Sequence, residues 1–241
     1  MKADLAIHQP HFLPWLPYIA RVARVKHFVA LDNVTFRKNY YQNRTRLRTS
    51  NGSDIWVTLP VQNSSRRLIC DTYLGNNASH VIKKIYRTVE QNYSKAPFAE
   101  QYLDQCLDFL TQLTLSTDYS LSQIAIESIK FSMRLLNIEQ PKILRCSSFK
   151  GVPSSRSERI TFLAEEVGAS TMLNGWGASG NEAVHDISNI EKSGLTMLFS
   201  EKFEFSNSSV WRDICGGKSV IHTVLYHGSD VVNELICATK L

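Results

Sequence analysis

The chain has 241 residues, of which 43% are hydrophobic and 20% are charged, so it is long and apolar enough to bury a substantial core. No apolar run approaches the ~20 residues of a membrane span, and the N-terminus MKADLAIHQP lacks the apolar core of a signal peptide, so we expect a cytoplasmic protein. The net charge is +5, and the basic residues concentrated between Arg37 and Arg67 favour a phosphorylated or polyanionic partner, with a solvated basic surface as an equal alternative.

The chain opens with a predicted strand, helix and strand. Residues 4–8 and 27–31 are short apolar runs, and residues 16–25 between them have helical spacing, with Arg21 on the polar side. This succession is typical of a βαβ unit with two parallel strands. The strand ends, His8-Gln9 and Asp32-Asn33, then lie at the same edge of the sheet, where α/β proteins bind ligands.

A turn signal at Asn51-Gly52 separates the basic segment 43–49 from the apolar segment 55–61, which indicates a hairpin or two neighbouring strands. Alternation in the sequence RTRLR puts its three arginines on one face. We expect Trp56, in the second segment, to pack in the core.

The middle of the chain is predicted to be helical, at residues 80–93, 98–113 and 121–136. Beyond it we predict strands at 142–146, 171–173 and 195–199 and helices at 158–167 and 220–226. The pattern predicts an α/β fold with a mostly parallel sheet started by the N-terminal βαβ unit. We expect a single domain, 1–241, with a helical subdomain at about 78–137.

The segment IHQPHFLPW at the end of the first strand carries the candidate catalytic residues. His8 and His11 have ordinary pKa values suited to proton transfer near neutral pH, and Gln9 offers a donor for a developing oxyanion. Asp32, at the end of the second strand, could orient a histidine or accept a hydrogen bond from a sugar. The alternatives are that the histidines only bond backbone and that Asp32 forms a turn or cap.

Candidate substrate-binding residues follow from their chemistry. Lys38 and Arg44 supply the positive charge that a diphosphate needs, although an exposed basic strand is the alternative. Trp15 and Tyr18 could form an apolar wall for a sugar or base, or could anchor the first helix. A Gly-rich loop begins at Asn174-Gly175, where its backbone could approach a phosphate.

No metal site is predicted, because the seven histidines are dispersed and only His8 and His11 are close enough in sequence to share an ion. The five cysteines have no close pair, which argues against a disulfide framework and against a thiolate zinc site.

These motifs resemble the WbqC-like protein family, found in bacterial polysaccharide gene neighbourhoods. The matching residues are Gln9-Pro10, Pro14-Trp15, Tyr18, Phe28-Val29, Leu31-Asp32, Val34, Phe36, Lys38, Asn43-Arg44 and the segment 56–61. The resemblance adds Phe36 and Asn43 to the substrate-binding candidates, and Asn33 joins them from its place at the end of the second strand. Two positions depart from the family pattern: Pro17 stands where the family usually has Gly, and His222 stands where an Asp is expected.

The resemblance implies a transferase in surface polysaccharide (O-antigen) biosynthesis, with N-acyl or aminoacyl transfer to a nucleotide-linked amino sugar as the leading reaction. The cofactor stays open, with an activated donor such as acyl-CoA or aminoacyl-tRNA as the candidate, which makes tRNA a candidate partner. One alternative is a non-catalytic protein that binds a nucleotide sugar or glycan. Another is a nucleotidyl-transfer enzyme, because His8 and His11 are similar to the HxGH phosphate motif, although its Gly is missing.

Overall fold

The computed structural model describes residues 2–62, 66–116, 118–175, 187–199 and 209–230. Its strands are β1 (Ala3–His8), β2 (Val25–Ala30), β3 (Arg44–Arg48), β4 (Asp54–Thr58), β5 (Lys142–Arg145), β6 (Thr171–Asn174) and β7 (Thr196–Phe199). Strands β3 and β4 form a hairpin, and the other five form one sheet. Both the strands and the hairpin were predicted.

The five-stranded sheet has the order β5-β2-β1-β6-β7, and its strand pairs are parallel. His8 lies opposite Ala30, so the predicted βαβ unit and its shared strand-end edge are confirmed. The chain builds the sheet outward from β1 through β2 to β5, and then continues on the other side of β1 with β6 and β7. This reversal between β1 and β6 leaves a crevice at the carboxyl ends of these two strands.

Helices cover the sheet and form the middle of the chain. They are α1 (Leu16–Ala23), α2 (Ala78–Tyr93), α3 (Ala99–Leu113), α4 (Leu121–Leu135), α5 (Arg156–Val167), α6 (Ser209–Ile214) and α7 (Val220–His227). The predicted helical middle is confirmed. Helix α4 begins with a capping box in which Ser120 Oγ accepts from Gln123 N, and α5 ends at Gly168 in the left-handed conformation.

The sheet is buried on both faces, as the apolar runs of its strands require. On one face, Ala6 and Phe28 join α1 and the helical middle in one large buried cluster. On the other face, Leu5 and Val29 pack with Leu163 of α5. None of the helices within the described ranges is both long and apolar enough to cross a bilayer.

The expectation that Trp56 packs in the core is wrong, because 42% of its surface is exposed. Residues directly opposite each other in an antiparallel pair share a face, and Trp56 is paired with Arg46. Trp56 therefore lies on the arginine face of the hairpin, where the Arg44 guanidinium carbon is 4.0 Å from its ring centroid. The opposite face carries the buried residues Leu47 and Val57.

Candidate functional site

Residues from β1, α1 and β6 meet at the crevice where the strand order reverses. His8 and Gln9 come from the end of β1, Arg21 comes from α1, and Gly175 follows the end of β6. A Cβ atom added to Gly175 would lie only 2.6 Å from Nη1 of Arg21, which places the guanidinium against the Gly175 backbone. We call the group formed by these four residues and His11 the crevice.

Arg21 is a cation without a counter-ion in the described part of the chain. Its Nε is buried without a hydrogen-bond partner among the described residues, and its polar neighbours include Tyr18, Tyr40, His8 and His11. Burial lowers the pKa of the Arg21 guanidinium from its usual value. Arg21 as a whole is half-buried. A partly desolvated cation held in this way favours the binding of an anion, which compensates its lost hydration.

The imidazole of His11 is stacked between two tyrosines. Its ring centroid is 4.6 Å from that of Tyr18 and 5.4 Å from that of Tyr41, with interplanar angles of 21° and 20°. Its two ring nitrogens are buried without a hydrogen-bond partner among the described residues. Burial, with smaller contributions from His8 and Arg21, holds the pKa of His11 well below 6.5. His11 is therefore neutral at physiological pH, with unused hydrogen-bonding groups.

His8 lies next to His11, with 4.9 Å between the ring centroids, and its Nδ1 is 2.9 Å from the carbonyl oxygen of Gln9. Burial, followed by the charge of Arg21, lowers the pKa of His8 from 6.5 to about 3. Both predicted histidines thus stay uncharged near neutral pH. Such a low pKa makes His8 a weak base, although its ring can still form hydrogen bonds with a ligand.

The side chain of Gln9 is held in one orientation by Gln42. Gln42 Nε2 donates to Gln9 Oε1 at 2.9 Å, and Gln42 Oε1 accepts from the backbone N–H of Arg37 at 2.8 Å. The fully buried Gln42 amide is thereby oriented by two contacts. The Oε1 atom of Gln9 is occupied, so its Nε2 group is the part of this amide that can donate to a ligand.

The loop that carries His11 is held in a strained backbone conformation. Leu13 has φ 41°, a value that is unfavourable for a bulky residue, and it is completely buried. Its carbonyl accepts from Thr45 Oγ1 at 2.8 Å, and Phe12 N donates to Tyr41 O at 3.0 Å. These contacts with the hairpin and the segment before it fix His11 between its tyrosine neighbours.

Asp32 does not extend toward the predicted histidines. Its fully buried carboxylate accepts from Ser122 Oγ at 2.7 Å, from Arg145 Nε at 2.9 Å, and from both N and Oγ of Ser147 at 2.8 Å. Arg145 ends β5 and Ser147 follows it, and β5 lies on the side of β2 away from β1. Asp32 therefore connects the ends of β2 and β5 to α4. This structural role is close to the alternative in which Asp32 forms a turn or cap.

The other predicted binding residues differ in how far their side chains are exposed to solvent. Phe36 and Asn43 are buried, and Asn43 Nδ2 donates to Leu59 O at 2.8 Å, which indicates a structural contribution. Lys38 is exposed on the surface, and Arg44 is half-buried against Trp56.

Of the remaining candidates, Tyr18 is buried and donates to Gln9 O at 3.1 Å, whereas Trp15, Asn33 and Asn174 are half-buried. Asn33 Oδ1 is buried without a hydrogen-bond partner in the described residues. The rest of the Gly-rich loop, 176–180, lies outside the described residues.

Sequence reasoning missed a second polar cluster, on α6, α7 and β3. Asp213 Oδ2 is 2.8 Å from His222 Nε2 and 3.0 Å from His227 Nε2. Asp213 Oδ1 is 2.9 Å from Lys218 Nζ and 3.1 Å from Arg48 Nη1. The histidines treated as dispersed therefore converge on one carboxylate. The closeness of His222, on the predicted helix 220–226, to His227 just after it was a usable signal, whereas nothing in the sequence singled out Asp213.

Burial and charge define the state of this cluster. His222 is fully buried, and burial lowers its pKa although the bond to Asp213 opposes that effect. Although burial alone would raise the pKa of Asp213, hydrogen bonds from His222, His227 and Lys218 hold it far below the usual range. The ligand atoms of Asp213, His222 and His227 lie within 4.8 Å of one another, close enough to hold a metal ion.

The second cluster opens onto a cleft of about 570 Å³. The described residues that line it are Arg48, Ser209, Val210, Arg212, Asp213, Lys218, Tyr226 and His227. Three of these side chains are cationic and one is anionic, so the lining has a net positive charge even when His227 is neutral. We refer to this group as the cleft.

The chain is similar to known proteins over much of its length. The chain is 35% identical over 99 residues to the uncharacterized protein Rv1507c of Mycobacterium tuberculosis, a match that covers 40% of this chain and 42% of that protein. No solved structure matches the chain significantly. Residues 9–231 match the family described as "WbqC-like protein family". Because this match covers most of the sequence, the chain belongs to the WbqC-like protein family.

Proposed function

We propose that the protein is a group-transfer enzyme that binds the phosphate of a nucleotide-linked amino sugar in the crevice. The observation that carries the proposal is Arg21, a cation without a carboxylate partner in the described residues, at the point where the strand order reverses. Crevices of this kind are the usual ligand sites of open α/β sheets. Arginine binds phosphate oxygens with charge-assisted hydrogen bonds, which compensate its lost hydration.

The neighbours of Arg21 complete an uncharged but polar pocket. His8, Gln9 and His11 offer hydrogen-bonding groups whose positions are fixed by stacking or by Gln42. Because the two imidazoles are neutral near pH 7, they add no further charge and can serve as donors or acceptors to the ligand. This set suits a single phosphate group with hydroxyl or amine neighbours.

The leading reaction is N-acyl or aminoacyl transfer, which is what the resemblance to the WbqC-like family implies. The amine nitrogen of the sugar attacks the acyl carbon of the donor, and a C–N bond forms. The bond from that carbon to the sulfur of acyl-CoA, or to the ribose oxygen of aminoacyl-tRNA, breaks, and the amine proton passes to the leaving group. Gln9 Nε2 is our candidate donor to the oxyanion, since its orientation is fixed.

The proposal is tested by incubating purified protein with nucleotide-linked amino sugars and with acetyl-CoA or aminoacyl-tRNA, and by measuring the amide product by mass spectrometry. We expect Arg21→Gln to weaken nucleotide-sugar binding at least tenfold. Arg87→Gln, at an exposed position of α2, is the matched control and should bind as the wild type does. Failure to form amide across the donors, together with no nucleotide-sugar binding, would rule the proposal out.

A second candidate, nucleotidyl transfer, is favoured by the strand order. The order β5-β2-β1-β6-β7 corresponds to the 3-2-1-4-5 arrangement of doubly wound nucleotide-binding sheets. This is an analogy of fold, which carries less weight than site chemistry. In this case nucleoside triphosphate and sugar phosphate would give pyrophosphate and a nucleotide sugar. Pyrophosphate release that is lost in Arg21→Gln, without amide formation, would favour this candidate over acyl transfer.

A further inference from the structure

We propose that the cleft is a second site, which binds a phosphate group next to the His227 imidazole that Asp213 orients. This site stands independently of the proposed function of the crevice. It rests on three observations about the described residues: a carboxylate that orients His227, a positive balance of charge in the lining, and an opening large enough for a ligand.

The hydrogen bonds of Asp213 determine which ring nitrogen of His227 has a free lone pair. Asp213 is ionised, so its Oδ2 accepts the hydrogen bond from His227 Nε2, and the proton of the neutral ring is on Nε2. The Nδ1 atom is then the nitrogen that can accept a proton. A carboxylate that orients an imidazole in this way also stabilises the imidazolium that forms.

His222 differs from His227 although both contact the same carboxylate oxygen. His222 is fully buried, and its Nδ1 is 3.3 Å from Tyr93 Oη, which also accepts from Arg48 N at 2.9 Å. Both of its ring nitrogens are therefore occupied, and the residue supports Asp213. His227 is half-buried and lines the cleft, so it is the member of the pair that a ligand can reach.

Charge argues for an anion in the cleft and against a metal ion. Lys218 and Arg48 already contact Asp213 Oδ1, and Arg212 adds a third cation to the lining. A divalent cation held by Asp213 and two neutral histidines would lie next to these cations without enough negative charge to balance them. A phosphate group, in contrast, would be attracted by Arg212 and by the partly exposed guanidinium of Arg48.

The cleft and the crevice lie near opposite ends of β3. Arg44 lies by Trp56, which contacts Tyr41 next to His11, whereas Arg48 contacts Asp213. Four residues of an extended strand span about 13 Å. Binding at the two sites can therefore be followed separately, through His11 and His227.

The experiment uses full-length Arg21→Gln protein with ¹⁵N-labelled histidine, so that binding at Arg21 does not contribute. Long-range ¹⁵N–¹H spectra report the His227 tautomer, and inorganic pyrophosphate is the probe. We expect Nε2 of His227 to be protonated in its neutral form, and a saturable shift of the His227 signals with pyrophosphate. Arg212→Gln should weaken this binding about tenfold, whereas the exposed control Arg134→Gln should leave it unchanged.

Asp213→Asn tests the orienting bond, with its fold checked by circular dichroism. If Asp213→Asn does not fold, a second variant, His222→Gln, is used. It keeps a polar group beside Asp213 and should preserve the His227 tautomer. A proton on Nδ1 of neutral His227, or no response to pyrophosphate, would overturn the proposal. Tight binding of Zn²⁺ that shifts both His222 and His227 in the wild type would overturn it in favour of a metal site.

Discussion

The guanidinium of Arg21 occupies the space in which a side chain on Gly175 would lie, since a Cβ there would be 2.6 Å from Nη1. Gly175→Ala should therefore displace Arg21 without changing its charge. Because the atom to be moved is the end of a flexible side chain, we expect little change in the free energy of unfolding. Nucleotide-sugar affinity should fall about tenfold, the cost of roughly one charge-assisted hydrogen bond.

The matched control for this change is Gly75→Ala, at which an added Cβ meets its nearest neighbour at an ordinary 3.4 Å. Titration calorimetry with a nucleotide-linked amino sugar measures both variants. Equal affinity of Gly175→Ala and the wild type would show that the position of the Arg21 guanidinium is unimportant for binding.

His11→Phe should make the stability of the protein less sensitive to acid. The pKa of His11 lies well below 6.5 in the folded protein, so the unfolded chain takes up a proton first as the pH falls below about 6.5. This group therefore lowers stability as the pH falls through that window. Removal of the imidazole should therefore reduce the dependence of the free energy of unfolding on pH by up to about 1.4 kcal/mol per pH unit between pH ~6.5 and ~5.

Urea unfolding of wild type and His11→Phe at pH 7.5, 6.0 and 5.0 measures this slope. Phenylalanine can keep the stacking with Tyr18 and Tyr41 and removes two ring nitrogens that have no partner among the described residues, so stability at pH 7.5 should be unchanged or higher. Parallel pH profiles for the two proteins would contradict the assigned state of His11.

Asp32→Asn separates a structural role from a catalytic one. The buried carboxylate accepts from Ser122, Arg145 and Ser147, and the amide would leave part of these donors unsatisfied. We expect the free energy of unfolding to fall by about 3 kcal/mol. Arg145→Gln, whose side chain is 36% exposed, should cost about 1 kcal/mol. Unchanged stability with lost turnover would instead support a direct catalytic role for Asp32.

Trp56→Ala tests the exposed face of the hairpin as part of a donor-binding surface. Trp56 is 42% exposed with Arg44 stacked on it, so its loss should change stability little. If aminoacyl-tRNA is the donor, its binding should weaken several-fold and show strong salt dependence. Filter binding with tRNA at two salt concentrations measures this, and unchanged affinity would exclude this face from donor binding.

Much of the fold was predictable because local signals and periodicity agree with it. The parallel pair β1 and β2 follows from two apolar runs around a helix, and Asn51-Gly52 marks the hairpin. The site was less predictable, because its contacts are long-range. Arg21 has the spacing of a polar helix face, and only the sheet order brings it to Gly175.

The contacts of the two histidines of α7 were likewise not predictable from the sequence. His222 departs from the residue that the family pattern leads one to expect, and its contact with Asp213 depends on how α6 packs beside α7. Asp32 was correctly located at the sheet edge, but its partners come from β5 and α4, which are distant in sequence. Side-chain direction at a strand end is therefore set by neighbours that sequence patterns do not identify.

The most direct test of the account is a crystal structure of the protein with a bound nucleotide-linked amino sugar. We expect a phosphate oxygen within about 3 Å of the Arg21 guanidinium, with His8, Gln9 or His11 contacting the same ligand. A nucleotide sugar bound with its phosphates elsewhere, and with Arg21 paired to a carboxylate of the chain itself, would contradict it.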